Sequence, residues 1–292
     1  MNYLVAIKER TMLILELGKI RIAQLVTLST AMGYILATGR LSLDIFVPVS
    51  GILLLALGSG ALNQYQEYRK DLLMPRTRNR PVPSGRMRPS VALAVAIALM
   101  ISGSLILYFG TNSTALVLGL FTAFWYNGVY TYLKRVTPMA VIPGSLIGAI
   151  PPLVGWTSGG GDIRAPQAIA VALVFFIWQI PHFWLLLLNF GGDYEKAGYP
   201  SLTSLFSREQ LGRLTFMWIV ATAGASLFMP LFGLGNSSVI FLLLFISAAG
   251  LVWTSTILLR PRSRKFSFLP AFKGINYFIL SVMILLTIDR LI

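Results

Sequence analysis

The chain has 292 residues, 56% hydrophobic and only 12% charged, with a mean hydropathy of +0.75; an average soluble domain carries about 25% charged residues, so a soluble fold with a polar coat is excluded. Lys and Arg number 24 against 10 Asp and Glu, a net charge of +14, but a nucleic-acid binder would not be this apolar; no nucleic-acid partner is expected, and the excess points to one side of a polytopic membrane protein. Cysteine is absent and histidine occurs once, which excludes disulfides, thiolate metal sites and multi-histidine metal sites.

Residues 1–19 read as a short cytoplasmic amphipathic segment on the membrane surface. Lys8, Glu9 and Arg10 precede an apolar run that contains Glu16, unlike a signal peptide. A bilayer-crossing helix needs about 20 mainly apolar residues. Nine segments meet that measure, at 20–39, 45–66, 90–110, 114–133, 139–157, 167–190, 212–232, 237–259 and 272–290. Pro143, Pro151 and Pro152 interrupt the fifth, which neighbouring helices can tolerate. Of the 24 Lys and Arg, all but Arg40, Arg164 and Arg290 fall in one set of alternate connections, Arg262, Arg264 and Lys265 among them. The positive-inside rule then places the N-terminus in the cytoplasm and the C-terminus outside an inner cell membrane, with membrane lipid as surroundings. The whole of 1–292 is expected to be one transmembrane domain. Acidic residues end the second and sixth spans and basic ones the fourth and eighth, as two related four-helix halves would give.

The carboxylates are few enough to take singly. Asn63, Glu67 and Asp71 recur at i, i+4 and i+8 at the end of the second span, so they share one helix face. Two like charges a turn apart repel, and a hard divalent cation removes that repulsion. Mg²⁺ takes oxygen ligands, typically one or two carboxylates plus substrate phosphates. Arg76, Arg78 and Arg80 follow directly, and guanidinium groups match phosphate oxygens bidentately. Together with an apolar bundle they point to a lipid-like chain ending in diphosphate; the bland alternative is a solvated helix end followed by a positive-inside loop. A second acidic stretch, 191–200, contains Asp193, Tyr194 and Glu195 after the sixth span. Asp193 is expected to face Glu67 and Asp71 across a cavity and to support a second Mg²⁺. A transporter would place ionisable groups near the bilayer midplane; here the acids gather at the inner face.

Lys134 and Arg135 end the fourth span, as an interfacial anchor or as a further positive contact to the diphosphate. His182 lies in Trp178-Gln-Ile-Pro-His-Phe-Trp184, as an axial haem ligand, a proton shuttle or a hydrogen-bonded packing residue. Tyr65, Tyr68, Tyr126, Tyr130 and Tyr132 are suited either to an interfacial belt or to shielding a cation.

With those residues assembled, the chain resembles the UbiA-type intramembrane prenyltransferases, most closely the branch that farnesylates haem. The resemblance covers nearly the whole chain. It rests on Asn63 through Pro81, Tyr132 to Thr137, Gly148 to Trp156, Trp178 to Trp184, and Asp193-Tyr194 with Ala197, Gly198 and Pro200. Glu67 and Gly192 stand where the family usually has Asp. The resemblance implies an all-α integral membrane fold: nine transmembrane helices in a bundle whose central cavity opens to the cytoplasmic side. It implies an enzyme that uses Mg²⁺ to move a farnesyl group from farnesyl diphosphate to a vinyl group of haem b, giving haem O. An aromatic acceptor of quinone biosynthesis is the alternative. Glu67, Asp71 and Asp193 would be catalytic and metal-binding; Asn63, Arg76, Arg80, Lys134, Tyr194 and His182 would bind substrates.

Overall fold

The structure, a computed structural model, describes residues 2–260 and 268–292; Arg262, Arg264 and Lys265 lie outside them. The N-terminal segment is a helix, α1 (Asn2–Leu17), that turns at Gly18 and Lys19 into α2 (Ile20–Thr38). Lys19 adopts a left-handed φ of 58°, the sole such residue other than glycine among those described. Next come α3 (Phe46–Asp71) and α4 (Pro89–Gly110), joined by a folded loop, and α5 (Ser113–Phe124). A π-helical stretch, Trp125–Tyr130, carries α5 into the single turn α6 (Thr131–Leu133). The short α7 (Val141–Gly144) leads to α8 (Leu146–Ser158) and the long α9 (Pro166–Lys196). The turn α10 (Leu202–Leu205), α11 (Arg208–Leu227), α12 (Ser238–Ser255) and α13 (Leu269–Leu291) complete the fold.

Among the described residues seven helical stretches are long and apolar enough to cross a membrane. The nine expected spans each coincide with helix, but two fall short of that measure. In 114–133 the π stretch interrupts the helix after the 12 residues of α5. The segment 212–232 coincides with α11, whose first turns carry Arg208, Glu209 and Arg213, and with a 3₁₀ turn, Met229–Phe232.

Burial separates central from peripheral helices. In the apolar window of the stretch ending in α8, 61% of residues are buried, and 56% in those of α3 and α9, against 22% in α4 and 28% in α12. The last two are apolar all round, as lipid-facing helices are. Helix α2 packs on α8 so closely that backbones touch. A Cβ at Gly33 would lie 1.9 Å from the Pro152 carbonyl oxygen, and one at Gly155 1.8 Å from that of Thr30. Small residues allow this approach where there is no hydrophobic driving force between helices. At the end away from the acids, the Asp289 carboxylate accepts from the backbone N–H groups of Gly235, Asn236 and Ser237 at 2.9, 3.2 and 3.0 Å, fixing the entry to α12.

Candidate active site

Helix α3 delivers Asn63, Glu67 and Asp71 to one buried face, Glu67 at 4% and Asp71 at 2% exposure. An acid is hidden only when paired, and each has its own cation. Lys134 reaches the Glu67 carboxylate at 2.5 Å, and Arg80 reaches that of Asp71 at 2.9 Å. The loop after α3 doubles back because Thr77 donates to the Asp71 carbonyl at 2.8 Å, which sets Arg80 over the stripe. Glu67 also accepts from the Asn63 amide at 2.9 Å and from the Tyr199 hydroxyl at 2.8 Å. One oxygen of Asp71 accepts from Arg80; the other has no partner among the described residues.

A third cation completes the cluster. The Lys19 ammonium donates to Asn63 Oδ1 at 2.6 Å and to the Tyr126 hydroxyl at 3.1 Å. Burial, followed by repulsion from Arg80 and Lys134, pushes its pKa down to about 7. Burial and the nearby Glu67 carboxylate push the Tyr199 hydroxyl well above its usual range, so it stays a donor. Three cations around two carboxylates leave a site receptive to an anion.

The π stretch positions the wall. It adds residues to one turn and so re-aims side chains, a device frequent at functional sites. Thr131 closes it by donating to the Tyr126 carbonyl at 2.8 Å and accepts from Asn63 at 3.0 Å. Tyr126 and Tyr130 stack at 6.1 Å, and Phe183 lies 6.2 Å below Tyr130. The rings thus descend from the ionic cluster towards His182. That residue sits between Trp178 and Phe272 at 4.9 and 5.0 Å. Its Nδ1 is buried and unpartnered, as is Gln179 Oε1 one turn away.

The structure therefore brings Asn63, Glu67, Asp71, Arg80 and Lys134 together. Arg76 and Tyr194 form a rim contact of their own at 3.3 Å, and Tyr194 packs edge-on to Tyr199 at 5.9 Å. Asp193 is half-buried on that rim with no side-chain partner among the described residues. It does not join Glu67 and Asp71 in one cluster: among the described residues no three carboxylates or imidazoles converge as a metal site. From the turn after α9 it is Tyr199, not Asp193, that reaches the Glu67 carboxylate. Glu195 accepts from Thr203 at 2.5 Å instead. Arg135 parts from Lys134 and donates to the Gln66 carbonyl at 3.0 Å, so it makes no contact in the cluster. Lys19, Thr131 and Tyr199 complete the site without having been singled out by spacing. Their partners lie 44, 68 and 132 residues away.

The donor set suits Mg²⁺. Two carboxylates one turn apart and a neighbouring amide offer hard oxygen donors, with one Asp71 oxygen free.

Comparison with known proteins supplies the relatives. The model of the UbiA prenyltransferase family matches residues 26–279. A protoheme IX farnesyltransferase from Oleidesulfovibrio alaskensis is 33% identical over 278 residues, 95% of this chain and 96% of that protein. One from Geobacter sulfurreducens is 38% identical over 220 residues, 75% and 81% of the two chains. Among solved structures, a digeranylgeranylglyceryl phosphate synthase aligns over 97% of this chain and 99% of its own, with a TM-score of 0.75 at 16% identity. A UbiA homologue from Archaeoglobus fulgidus bound to GPP and Mg²⁺ aligns over 94% and 99%, with a TM-score of 0.72 at 16% identity. At such identities the structural likeness speaks for the fold alone.

Proposed function

The chain belongs to the UbiA prenyltransferase family, a multi-pass membrane prenyltransferase, and from that premise we propose that it transfers a farnesyl group from farnesyl diphosphate to a vinyl carbon of haem b, giving haem O. The observation that carries the reading is the buried Glu67–Asp71 stripe with its surplus of cations. The names and coverage of the curated relatives support the substrate pair.

Glu67 and Asp71, with the Asn63 amide, would hold one Mg²⁺, and Asp193 at the rim would support a second. Bound Mg²⁺ supplies charge neutralisation to the departing diphosphate. Lys134 and Arg80 serve as counter-ions to the two acids. On loading they turn to diphosphate oxygens, joined by Lys19 and, from the rim, by Arg76, with Tyr194 orienting it. The farnesyl C1–O bond breaks and the diphosphate keeps the electron pair. Tyr126, Tyr130 and Phe183 present ring faces to the allylic cation and exclude water from it. The terminal vinyl carbon of the acceptor forms the new C–C bond. Water then adds to the adjacent carbon and releases a proton. His182 would lie beside the acceptor at the foot of the aromatic wall. The charge asymmetry of the connections supports nine spans in one domain, with the site opening to the cytoplasm.

Purified protein incubated with labelled farnesyl diphosphate and either haem b or a hydroxybenzoate tests the assignment by mass spectrometry of the product. Hydroxyethylfarnesyl haem formed only with Mg²⁺ is the expected result. A prenylated hydroxybenzoate in its place would move the chain to quinone biosynthesis.

A further inference from the structure

Helix α3 has a second charged face. Tyr65 and Arg69 lie one turn apart and, by helical periodicity, on the side away from Glu67. With Lys70, Tyr132, Arg135 and Ser90 they line a cavity of about 740 Å³ at the mouth of α4. Its cations lack acids. Among the described residues the ion pairs are Arg80–Asp71, Arg86–Glu16 and Lys134–Glu67, so neither Arg69 nor Arg135 has a carboxylate partner. Both guanidinium groups are instead held over rings, Arg69 over Tyr68 at 5.7 Å and Arg135 over Tyr132 at 5.0 Å. The Arg135 Nε is buried without any partner.

Two further observations specify the ligand. Helix α4 is 22 residues long and its N-cap, Arg88, supplies no side-chain cap, so its first N–H groups are unsatisfied and its positive end faces the cavity. Glu67 is the one acid among the lining residues, and Lys134, Asn63 and Tyr199 already hold its carboxylate. The cavity is thus an anion site walled by aromatic rings. It also opens beside α4, the least buried of the long apolar helices, where Val91 and Ile97 are exposed.

We propose that this cavity binds the phosphodiester of an anionic phospholipid headgroup, with the acyl chains running along α4. Arg69, Arg135 and the Ser90 N–H take the phosphate oxygens, and Tyr65, Tyr132 and Leu93 contact the glycerol and upper chains. The site is separate from the Glu67–Asp71 cluster and does not rest on the prenyl-transfer reading.

Native mass spectrometry of the full chain in detergent, offered equal phosphatidylglycerol and phosphatidylcholine, tests it. The unaltered protein is expected to retain phosphatidylglycerol preferentially. Arg69→Gln and Arg135→Gln should each lower that retention roughly fivefold, the worth of one interfacial cation, while Arg69→Lys and Arg135→Lys keep most of it. Inorganic pyrophosphate with Mg²⁺ should leave it unchanged. Equal retention of the two lipids, or unchanged retention in both Gln variants, overturns the proposal. Displacement of the lipid by an equal concentration of inorganic phosphate also overturns it, in favour of a free-phosphate site. Should the Gln variants fail to fold, the lipid preference of the unaltered protein and its response to inorganic phosphate still decide.

Discussion

Asp71 is the acid with an oxygen to spare, and that sets what its loss does. Asp71→Ala removes the free donor and leaves the Arg80 guanidinium without its partner. Prenyl transfer should fall by at least about a hundredfold, the scale of losing one electrostatic group at a reacting centre. The protein should still insert in the membrane, as judged by extraction and gel filtration, and full activity would remove Asp71 from the site. Lys19 makes a separate prediction with a sign. Its folded pKa lies near 7 because burial and two neighbouring cations favour the neutral amine, so the charge an anion needs is present below that value and lost above it. Binding of Mg-pyrophosphate, measured calorimetrically, should weaken by up to tenfold per pH unit as pH rises through 7. Lys19→Met should bind more weakly and lack that limb of the profile. The spacing of Asn63, Glu67 and Asp71 was readable because a helix repeats every 3.6 residues, and charge alone pointed to Arg80 and Lys134. Lys19 and Tyr199 were not readable, since a local pattern carries no information about which distant turn folds onto it.

At the scale of elements, hydropathy located the helices and missed their internal breaks. Pro89–Gly110 and Ser238–Leu259 stand out because lipid faces most of their sides. The π stretch at Trp125–Tyr130 left no such signature: its extra residue per turn changes direction, not composition. Neighbouring basic residues beyond that stretch serve different faces, Lys134 turning to Glu67 and Arg135 to Gln66, as consecutive residues of a helical turn do. The contact of α2 with α8 is the element-level feature most open to test. A methyl at residue 155 would meet the Thr30 carbonyl oxygen at 1.8 Å, and a helix backbone cannot step aside as a side chain can. Gly155→Ala should cost about 1–3 kcal/mol, read as a lower thermal midpoint in detergent. An unchanged midpoint would mean that the two helices sit further apart.

For the whole molecule, the distribution of charge decides how it responds to metal. Both buried acids of the site carry protein cations as counter-ions, so the fold does not depend on Mg²⁺ for neutrality. Chelation with EDTA should abolish prenyl transfer while leaving the thermal midpoint within about a degree of its starting value. A collapse of the fold on chelation would show that the ion pairs of Lys134 and Arg80 do not suffice. The net charge of +14 identified a membrane protein with a basic end. It did not foretell that the cations at that end divide between the cluster around Glu67 and Asp71 and the cavity beside α4.

The turn at Gly18 and Lys19 has a consequence for the site. Gln64 donates to the Glu16 and Leu17 carbonyls at 3.2 and 2.8 Å, and Arg86 clasps the Glu16 carboxylate, buckling the leading helix to the third one. Because Lys19 follows that buckle by two residues and donates to Asn63, a shift of the leading helix would be felt at the Glu67 carboxylate that Asn63 holds.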